Sequence, residues 1–299
     1  MVASRSSLPV IQSLWIGEDL TQIEKLCVQS YLDHGHKFHL YTYSEIGGVP
    51  AGALIKDGNE ILPESAIFQS KSGSYAAFSD WFRYAMLAKK GGFWVDMDMI
   101  CIKPFDFDSK IILAGGSDGY TNAIIGMPEN HPLMVALEET CRNYQNKNYA
   151  GWGKIGGPKV LTQFVHKFGM EKYGRPYMYF YPWGYQVWQV AFDRTFSEGV
   201  NLYPNTHSVH IYNEMGRKIK LDKNAQFDSD SLVEQLKAKH RITPIRNAKR
   251  ITSTDLNNAI SQRMQDKATA KVNRKKKRYY ILMGIAATLV IIVSLFGWL

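Results

Sequence analysis

The feature that most constrains this chain is the segment from Phe78 to Phe105, FSDWFRYAMLAKKGGFWVDMDMICIKPF. It combines a helix-like stretch, two glycines, a short apolar stretch and an Asp-x-Asp motif formed by Asp96 and Asp98. Carboxylates placed among apolar residues are costly to bury without a partner. Hard divalent cations take oxygen ligands, and carboxylates supply them. The segment therefore predicts a divalent-cation site at the end of a buried strand.

The first half of this segment predicts a helix. Asp80 is predicted to cap it, and Arg83 follows three residues later, on the same face. Gly91-Gly92 allows the left-handed backbone that ends many helices.

The second half predicts a strand. Phe93–Val95 is rich in strand-forming residues. Side chains alternate along a strand, so Asp96 and Asp98 are expected to point the same way. They could share a metal, or divide their contacts between a metal and a sugar or ribose hydroxyl.

Three other interpretations remain open for these residues. An Asp-x-Asp motif alone also occurs in solvated turns. An apolar strand ending in Asp-x-Asp opens phosphatases that use an aspartyl nucleophile, although no matching acidic pair follows in this sequence. Asp80 and Arg83 could form an ion pair on the surface of a helix, which would contribute little to stability.

The combination of Ser79-Asp80-x-x-Arg83, Gly91-Gly92 and Asp96-x-Asp98 resembles the Asp-x-Asp sugar-binding region of the retaining glycosyltransferases of family 32. That family includes yeast-type mannosyltransferases and many bacterial polysaccharide and glycolipid enzymes. The region is also similar to the glucosyltransferase domains of large clostridial toxins. The resemblance extends over residues 10–215 and is strongest from Ser79 to Asp98. It implies an α/β fold of the GT-A type, in which a Rossmann-like sheet binds a nucleotide sugar.

The resemblance also implies roles for individual residues. It implies a hexosyltransferase with catalytic residues Asp80, Arg83, Asp96 and Asp98. The predicted donor-binding residues are Trp15, Asp80, Arg83, Asp96 and Asn122, with Trp15 near the nucleotide base and Asn122 near the sugar. The predicted metal ligands are Asp98, His210 and Asp96, with Asn213 and Glu214 as alternatives to His210.

The predicted cofactor is Mn²⁺ or Mg²⁺, bound with the diphosphate of a nucleotide sugar. A UDP-sugar is favoured over a GDP-sugar, and retention implies an α-linked product. Two other functions remain open: a non-catalytic sugar-nucleotide-binding membrane protein, and a metal-dependent phosphoryl-transfer enzyme. Intact Asp80, Arg83, Asp96 and Asp98 argue against the first, and the second would not need Asp80 and Arg83.

The predicted elements around the segment also indicate an α/β fold. Strands are expected at Val10–Ile16 and Lys37–Tyr43, with a helix between them that starts at the capping box Thr21-x-x-Glu24. Strand–helix–strand order favours a parallel-type sheet, whose ligands bind at the carboxyl ends of the strands. Three scattered cysteines, Cys27, Cys101 and Cys141, show no metal-type spacing and favour a reducing compartment.

The charge is concentrated towards the C-terminus. Residues 235–278 contain fourteen Lys or Arg and two acids, a net charge of +12, which leaves −3 of the total of +9 for the rest. A nucleic-acid-binding domain would carry basic surface on the fold itself. We therefore expect no nucleic-acid partner.

The last 21 residues, Tyr279–Leu299, carry no charge. Such a helix would be about 31 Å long, which matches the hydrocarbon core of a bilayer. The basic run Lys271–Arg278 precedes it. Basic flanks stay on the cytoplasmic side, and Met1–Pro9 lacks the pattern of a signal peptide. We therefore predict a single-pass C-terminal anchor, with the large domain facing the cytoplasm and acting on a lipid-linked or oligosaccharide acceptor.

These observations predict three parts: a catalytic domain (1–215), a basic, partly helical and partly flexible stalk (216–278) and a transmembrane anchor (279–299). The aromatic segment Tyr177–Trp188 is expected to belong either to the core or to an acceptor cleft.

Overall fold

The computed structural model describes residues 8–71, 73–116, 118–144, 147, 153–197 and 202–296, with side chains in the last helix as far as 279 and at 281. Its main sheet contains seven strands, which are β1 (Ile11–Leu14), β2 (Phe38–Thr42), β3 (Leu54–Asp57), β4 (Gly92–Val95), β6 (Ile112–Gly116), β7 (Gly119–Met127) and β8 (Gly174–Arg175). A second sheet pairs β5 (Met99–Cys101) with β9 (Ser208–His210).

The main sheet is mixed. Its order is β3-β2-β1-β4-β7-β6-β8. The pairs β2–β3, β1–β2, β1–β4 and β6–β8 are parallel, whereas β4–β7 and β6–β7 are antiparallel. The predicted α/β class is confirmed, but the expectation of a parallel-type sheet fails at β7, which is antiparallel to both of its neighbours. Parallel strands need a long crossover, usually a helix. No helix lies between β6 and β7, so these strands form a hairpin.

Seven α-helices accompany the sheets in the part of the chain that the structure describes. They are α1 (Gln22–Asp33), α2 (Ala76–Lys90), α3 (Pro132–Asn143), α4 (Pro158–Lys167), α5 (Asn213–Arg217), α6 (Leu232–Lys239) and α7 (Ser253–Phe296).

Two apolar cores cover the two faces of the main sheet. Strand β4 shows this division, because Phe93 and Val95 pack with α1 and α6, whereas Trp94 packs with α2, α3 and α4. A central strand buried on both faces explains the continuous apolar run before Asp96. Strand β4 is therefore buried on both faces up to the point where the Asp-x-Asp motif begins.

The helix boundaries explain one wrong prediction and confirm two others. Helix α2 begins at Ala76 after Tyr75, so Asp80 lies inside the helix and does not cap it. The helix begins earlier than predicted because Ala77 and Phe78, which precede Asp80, are already buried in the core. The stop at Gly91 is confirmed, with φ of 60°. The capping box of Thr21 and Glu24 is also present.

Part of the segment predicted to be a stalk packs against the rest of the domain, as far as Ile260. Phe227, Leu232, Val233 and Leu236 are buried in the same core as α1. This packing differs from the partly flexible stalk that the polar composition indicated. The few apolar residues of this region face the domain, and Lys237 is buried with them, where it donates to the Ala225 carbonyl and to Glu234.

No helix within the described part of the chain is both long enough and apolar enough to span a bilayer. Most of the predicted anchor, residues 282–299, lies outside the described side chains. The anchor therefore stays a prediction.

The backbone conformation at Gly91 predicts that adding a side chain there will destabilise the fold. A Cβ at Gly91 would approach the backbone nitrogen of Glu129 to 2.4 Å. We expect Gly91→Ala to lower the free energy of unfolding by more than the roughly 1–2 kcal/mol that left-handed backbone costs an L-residue. Urea unfolding measures this loss.

Gly169→Ala is the matched control. Gly169 has φ of 62°, and no atom lies within 4 Å of the position that a Cβ would take there. It therefore reports the backbone cost alone. Equal losses in the two variants would show that the contact with Glu129 is not limiting.

Candidate functional site

Asp96 and Asp98 lie in the turn between β4 and β5, not within a strand. The turn is closed by a hydrogen bond from the Met99 N–H to the Asp96 carbonyl oxygen, at 3.0 Å. The predicted strand alternation is therefore not what brings the two carboxylates together. Strand β9 pairs with β5 and sets His210 opposite Met99. One ligand atom each from Asp96, Asp98 and His210 lies within 4.8 Å of the others.

Asp98 is fixed from two sides. His210 Nε2 lies 3.2 Å from Asp98 Oδ1, and the Asn213 N–H donates to Asp98 Oδ2 at 2.7 Å. Burial raises the pKa of Asp98, but the charge and hydrogen bond of His210 and the Asn213 N–H outweigh it and leave the pKa lowered. Asp98 is therefore ionised at neutral pH and held in one orientation.

Asp96 is held by a different set of donors. Arg83 Nη2 donates to Asp96 Oδ1 at 2.9 Å, and the Trp94 indole N–H donates to the same oxygen at 2.8 Å. Both partners bind Oδ1, so Oδ2 has no hydrogen-bonding partner among the described residues. The side chain is 28% exposed. Asp96 therefore has one oxygen anchored in the protein and one available to a ligand.

Arg83 joins Asp96 to a second carboxylate. Its guanidinium is only 3% exposed; Nη1 lies 3.4 Å from Asp80 Oδ1 and donates to the Asn122 carbonyl at 2.7 Å. The Trp94 ring lies 5.1 Å from the guanidinium carbon. Burial lowers the pKa of Arg83, but Asp96 and Asp80 more than reverse this effect. Arg83 therefore stays charged in the interior.

Asp80 lies behind this layer. The Asn122 amide donates to Asp80 Oδ1 at 2.8 Å and to the Gly156 carbonyl at 3.2 Å. Burial raises the pKa of Asp80 to about 6, against the lowering effect of Arg83. Asp80 and Asn122, both predicted to contact a sugar, are 8% and 7% exposed and contact each other.

A cavity of about 540 Å³ lies in front of the two carboxylates. Trp15, Asp96, Asp98, Asn213 and Lys223 are among its lining residues. The Trp15 indole N–H donates to the Glu18 carbonyl at 2.6 Å, and Lys223 Nζ lies 5.1 Å from the centre of its ring. The predicted base-binding tryptophan therefore shares one cavity with the Asp-x-Asp motif.

The chemistry of the three side chains fits a divalent cation. Carboxylate oxygens suit Mg²⁺ and Mn²⁺, and imidazole nitrogen also suits transition metals. Of the alternatives to His210, Glu214 is paired with Arg217, and the Asn213 amide donates to Glu24. His210 is thus the C-terminal residue best placed to complete a metal site.

Sequence reasoning missed a supporting role of Glu24. Besides its place in the capping box, this fully buried carboxylate accepts from the Asn213 amide at 2.9 Å and forms an ion pair with Lys223. It thereby connects the start of α1 to the wall of the cavity. The capping pattern already accounted for a glutamate at this position, so no local signal indicated the second role.

The aromatic segment Tyr177–Trp188 divides between the two expected locations. Phe180, Tyr181, Trp183 and Trp188 are buried. Tyr177, Met178, Tyr185 and Val187 are among the exposed large apolar side chains. The segment is therefore core on one side and open to solvent on the other.

One comparison with known protein families covers the segment that contains the Asp-x-Asp motif. Residues 27–114 match the family described as "Glycosyltransferase sugar-binding region containing DXD motif". This range includes Asp80, Arg83, Asp96 and Asp98. A human alpha-1,4-N-acetylglucosaminyltransferase is 27% identical over 179 residues, 54% of this chain and 49% of that protein.

Two further matches are more distant or shorter. The uncharacterized glycosyltransferase L373 of Acanthamoeba polyphaga mimivirus is 34% identical over 83 residues, 25% of this chain and 33% of that protein. The PaToxG glycosyltransferase structure has a TM-score of 0.42 at 20% identity, covering 54% of this chain and 70% of that one. A score below 0.5 supports no conclusion.

The chain thus spans half or less of the length of these curated relatives. The family match and the named relatives support a glycosyltransferase as the class of enzyme. The description of the matching family names the DXD motif, and the family 32 assignment stays a prediction.

The buried charges around Arg83 predict a large loss on removing the cation. Arg83→Leu would leave Asp80 and Asp96 without their shared partner. Breaking a buried ion pair in this way costs about 3–5 kcal/mol. We expect a decrease of that order in the free energy of unfolding, measured with urea at pH 7.5.

Arg142→Leu is the matched control, because the Arg142 side chain is 56% exposed where it pairs with Glu138 on α3. Exposed pairs contribute about 1 kcal/mol or less. Adding Asp80→Asn to Arg83→Leu should recover part of the loss. If Arg83→Leu were as mild as Arg142→Leu, the network around Arg83 would not be a buried electrostatic one.

Proposed function

We propose that this protein is a metal-dependent retaining glycosyltransferase that transfers a hexose from a nucleotide-sugar donor to a glycan or glycolipid acceptor. The observation that carries the proposal is the placement of Asp96, Asp98 and His210 within 4.8 Å of one another, with the two carboxylates lining a cavity that Trp15 also lines. A base-stacking ring and a candidate metal site in one cavity suit the two ends of a nucleoside diphosphate.

Each lining residue has a distinct task in this proposal. The face of Trp15 stacks on the nucleotide base. Asp98 and His210 hold the metal, and Asp96 offers its free Oδ2 to the metal or to a hydroxyl of the donor. A bound Mn²⁺ or Mg²⁺ would act as a Lewis acid that offsets the charge developing on the leaving diphosphate.

Arg83 and Asp80 keep their predicted contacts with sugar hydroxyls as part of the proposal. The ion pair of Arg83 with Asp96 adds a second task, because it fixes the orientation of Asp96. The planar guanidinium makes hydrogen bonds of fixed direction that a lysine could not replace. Fixing the donor in this way lowers the entropic cost of reaching the transition state.

The donor and the stereochemistry are finer parts of the proposal. We favour a UDP-sugar, an α-linked product and front-side attack assisted by the leaving phosphate. Three carboxylates are among the lining residues of the cavity: Asp96 and Asp98, which form the candidate metal-site pair, and Glu214, which is paired with Arg217. None of these three is assigned as a nucleophile for double displacement. Detection of a covalent glycosyl-enzyme would contradict this mechanism.

We further propose that the apolar segment 279–299 tethers the enzyme to a membrane, with the catalytic domain on the cytoplasmic side. The support is the uncharged sequence and the basic run before it. A tethered enzyme would meet lipid-linked acceptors at the membrane surface.

The donor and the metal can be tested together. We expect one member of a panel of UDP- and GDP-sugars to release its nucleotide with Mn²⁺ and not with EDTA. Asp98→Asn should reduce this release at least a hundredfold, because it removes a charged ligand while the Asn213 N–H retains an acceptor.

Asp108→Asn, a change at an exposed carboxylate, is the control and should leave the release unchanged. Release of inorganic phosphate without nucleotide would favour the phosphoryl-transfer alternative. Donor binding in a thermal-shift assay without any turnover, even with candidate acceptors, would favour the non-catalytic alternative.

The tether has its own test. We expect the full chain to float with zwitterionic vesicles, and a chain lacking residues 279–299 to remain in the lower fraction while keeping metal-dependent nucleotide release. Flotation of the shortened chain with neutral lipid would show that the segment is not the anchor.

A further inference from the structure

The first turns of helix α7 are held against the domain by hydrogen bonds and apolar packing. The Asp228 carboxylate accepts from the N–H and hydroxyl of Ser253, at 2.8 and 2.6 Å, and Asp255 accepts from the Thr252 hydroxyl at 2.7 Å. Leu256 is 1% exposed, and Ile260 packs against the core of the domain. The direction in which α7 leaves the domain is therefore set by packing and hydrogen bonds.

From residue 261 to residue 279 the helix is exposed on all sides. Every residue from 261 to 279 is exposed, and this part of α7 has no side chain packed into the apolar core. A helix that is polar all round and leaves its domain needs another reason to be there.

Five of the eight basic residues of this exposed part lie on one side. Each helical residue is rotated by 100° from the previous one. The spacing of four, four, three and four residues therefore places five cations within an arc of about 80°. They form the cationic stripe, which consists of Arg263, Lys267, Lys271, Arg274 and Arg278.

The cationic stripe is about 23 Å long, from 1.5 Å per residue. Asp266 is the one acid between its ends, and it lies outside the arc and accepts from Gln262 at 2.9 Å. Lys275, Lys276 and Lys277 point in three other directions around the helix. Residues 261–279 thus carry two charge patterns. One is the cationic stripe along one side, and the other is the set of lysines 275–277, distributed around the helix just before the apolar segment.

We propose that the cationic stripe docks along the surface of an anionic lipid bilayer, and that α7, a single helix from Ser253 to Phe296 in the structure, bends near Tyr279 where its apolar segment enters the membrane. This inference rests on the proposed membrane tether. It gives the stalk a different task, because a helix lying on the surface holds the catalytic domain beside the lipid instead of a helix length away.

Electrostatic range decides between a lying and an upright helix. Charges in physiological salt are screened beyond about 8 Å. In an upright α7, Arg263 and Lys267 would be about 18–24 Å from Tyr279 along the axis and would gain nothing from headgroups. In a lying α7, all five cations reach the anionic surface, and each basic residue near it adds to the attraction. The stripe extends back to Arg263. Cations that far from Tyr279 would contact headgroups only if the helix lay on the membrane surface.

The fixed first turns of α7 extend the consequence to the catalytic domain. Because Ser253, Leu256 and Ile260 hold the helix against the domain, docking of the stripe also orients the domain on the bilayer. The orientation would be the same for every molecule, as an enzyme acting on lipid-linked acceptors requires.

The test uses the full chain in nanodiscs, with a nitroxide at Met264→Cys. Met264 is 66% exposed, and the three native cysteines are buried. Nickel-chelating lipids in the disc relax the nitroxide when it approaches the headgroups. We expect strong relaxation in discs containing anionic lipid, and weak relaxation in zwitterionic discs or in 0.5 M salt.

Two triple variants separate the models, and each removes three positive charges. Arg263→Gln, Lys267→Gln and Lys271→Gln together should reduce relaxation in anionic discs to the zwitterionic level. Lys275→Gln, Lys276→Gln and Lys277→Gln together should retain most of it. Equal relaxation in anionic and zwitterionic discs, or a larger loss in the second variant, would overturn the proposal.

Two further outcomes separate this inference from the others. Failure of the chain to float with zwitterionic vesicles would contradict the tether, whereas the nitroxide result contradicts the stripe alone. A stripe-dependent gain in affinity for double-stranded RNA, together with no response to anionic lipid, would also overturn the proposal and assign the stripe to a nucleic acid. Nucleotide release is independent of both results.

Discussion

The ion pairs of Arg83 are the interaction on which the site depends. A guanidinium that is 3% exposed has to be compensated, and Asp80 and Asp96 provide the opposite charge from two sides. Because Asp96 follows the central strand β4 directly, the ion pair between Arg83 and Asp96 connects helix α2 to the carboxyl end of that strand. The Asp-x-Asp motif is therefore held by the interior of the protein, and the second oxygen of Asp96 remains for a ligand.

The second carboxylate is positioned from the opposite direction. Asp98 is oriented by His210 and by the N–H of Asn213, which the small antiparallel pair of β5 and β9 brings to it. Glu24 supports this side through the Asn213 amide. The candidate metal site thus lies where two separately stabilised parts of the chain meet, and each contributes ligands that the other lacks.

Local patterns predicted part of the structure well. The capping box, the stop at Gly91 and the strand before Asp96 depend on neighbouring residues, so the sequence contains the necessary information. The cap at Asp80 was wrong, and the parallel-type sheet was wrong for β7. Both depend on which residues pack together across the chain: α2 starts earlier because its first aromatic residues are buried, and β7 is antiparallel because it returns from a hairpin.

The sequence by itself determined the chemistry available to this protein: the carboxylates, the arginine, the aromatic residue after the first strand and the concentration of positive charge near the C-terminus. Only the tertiary structure decided which of these groups meet. His210 lies 112 positions from Asp98 and reaches it because β9 pairs with β5. Asn122 faces Asp80 inside the protein, and residues 225–256 join the core, because burial of apolar surface is a property of the whole chain and not of its local composition.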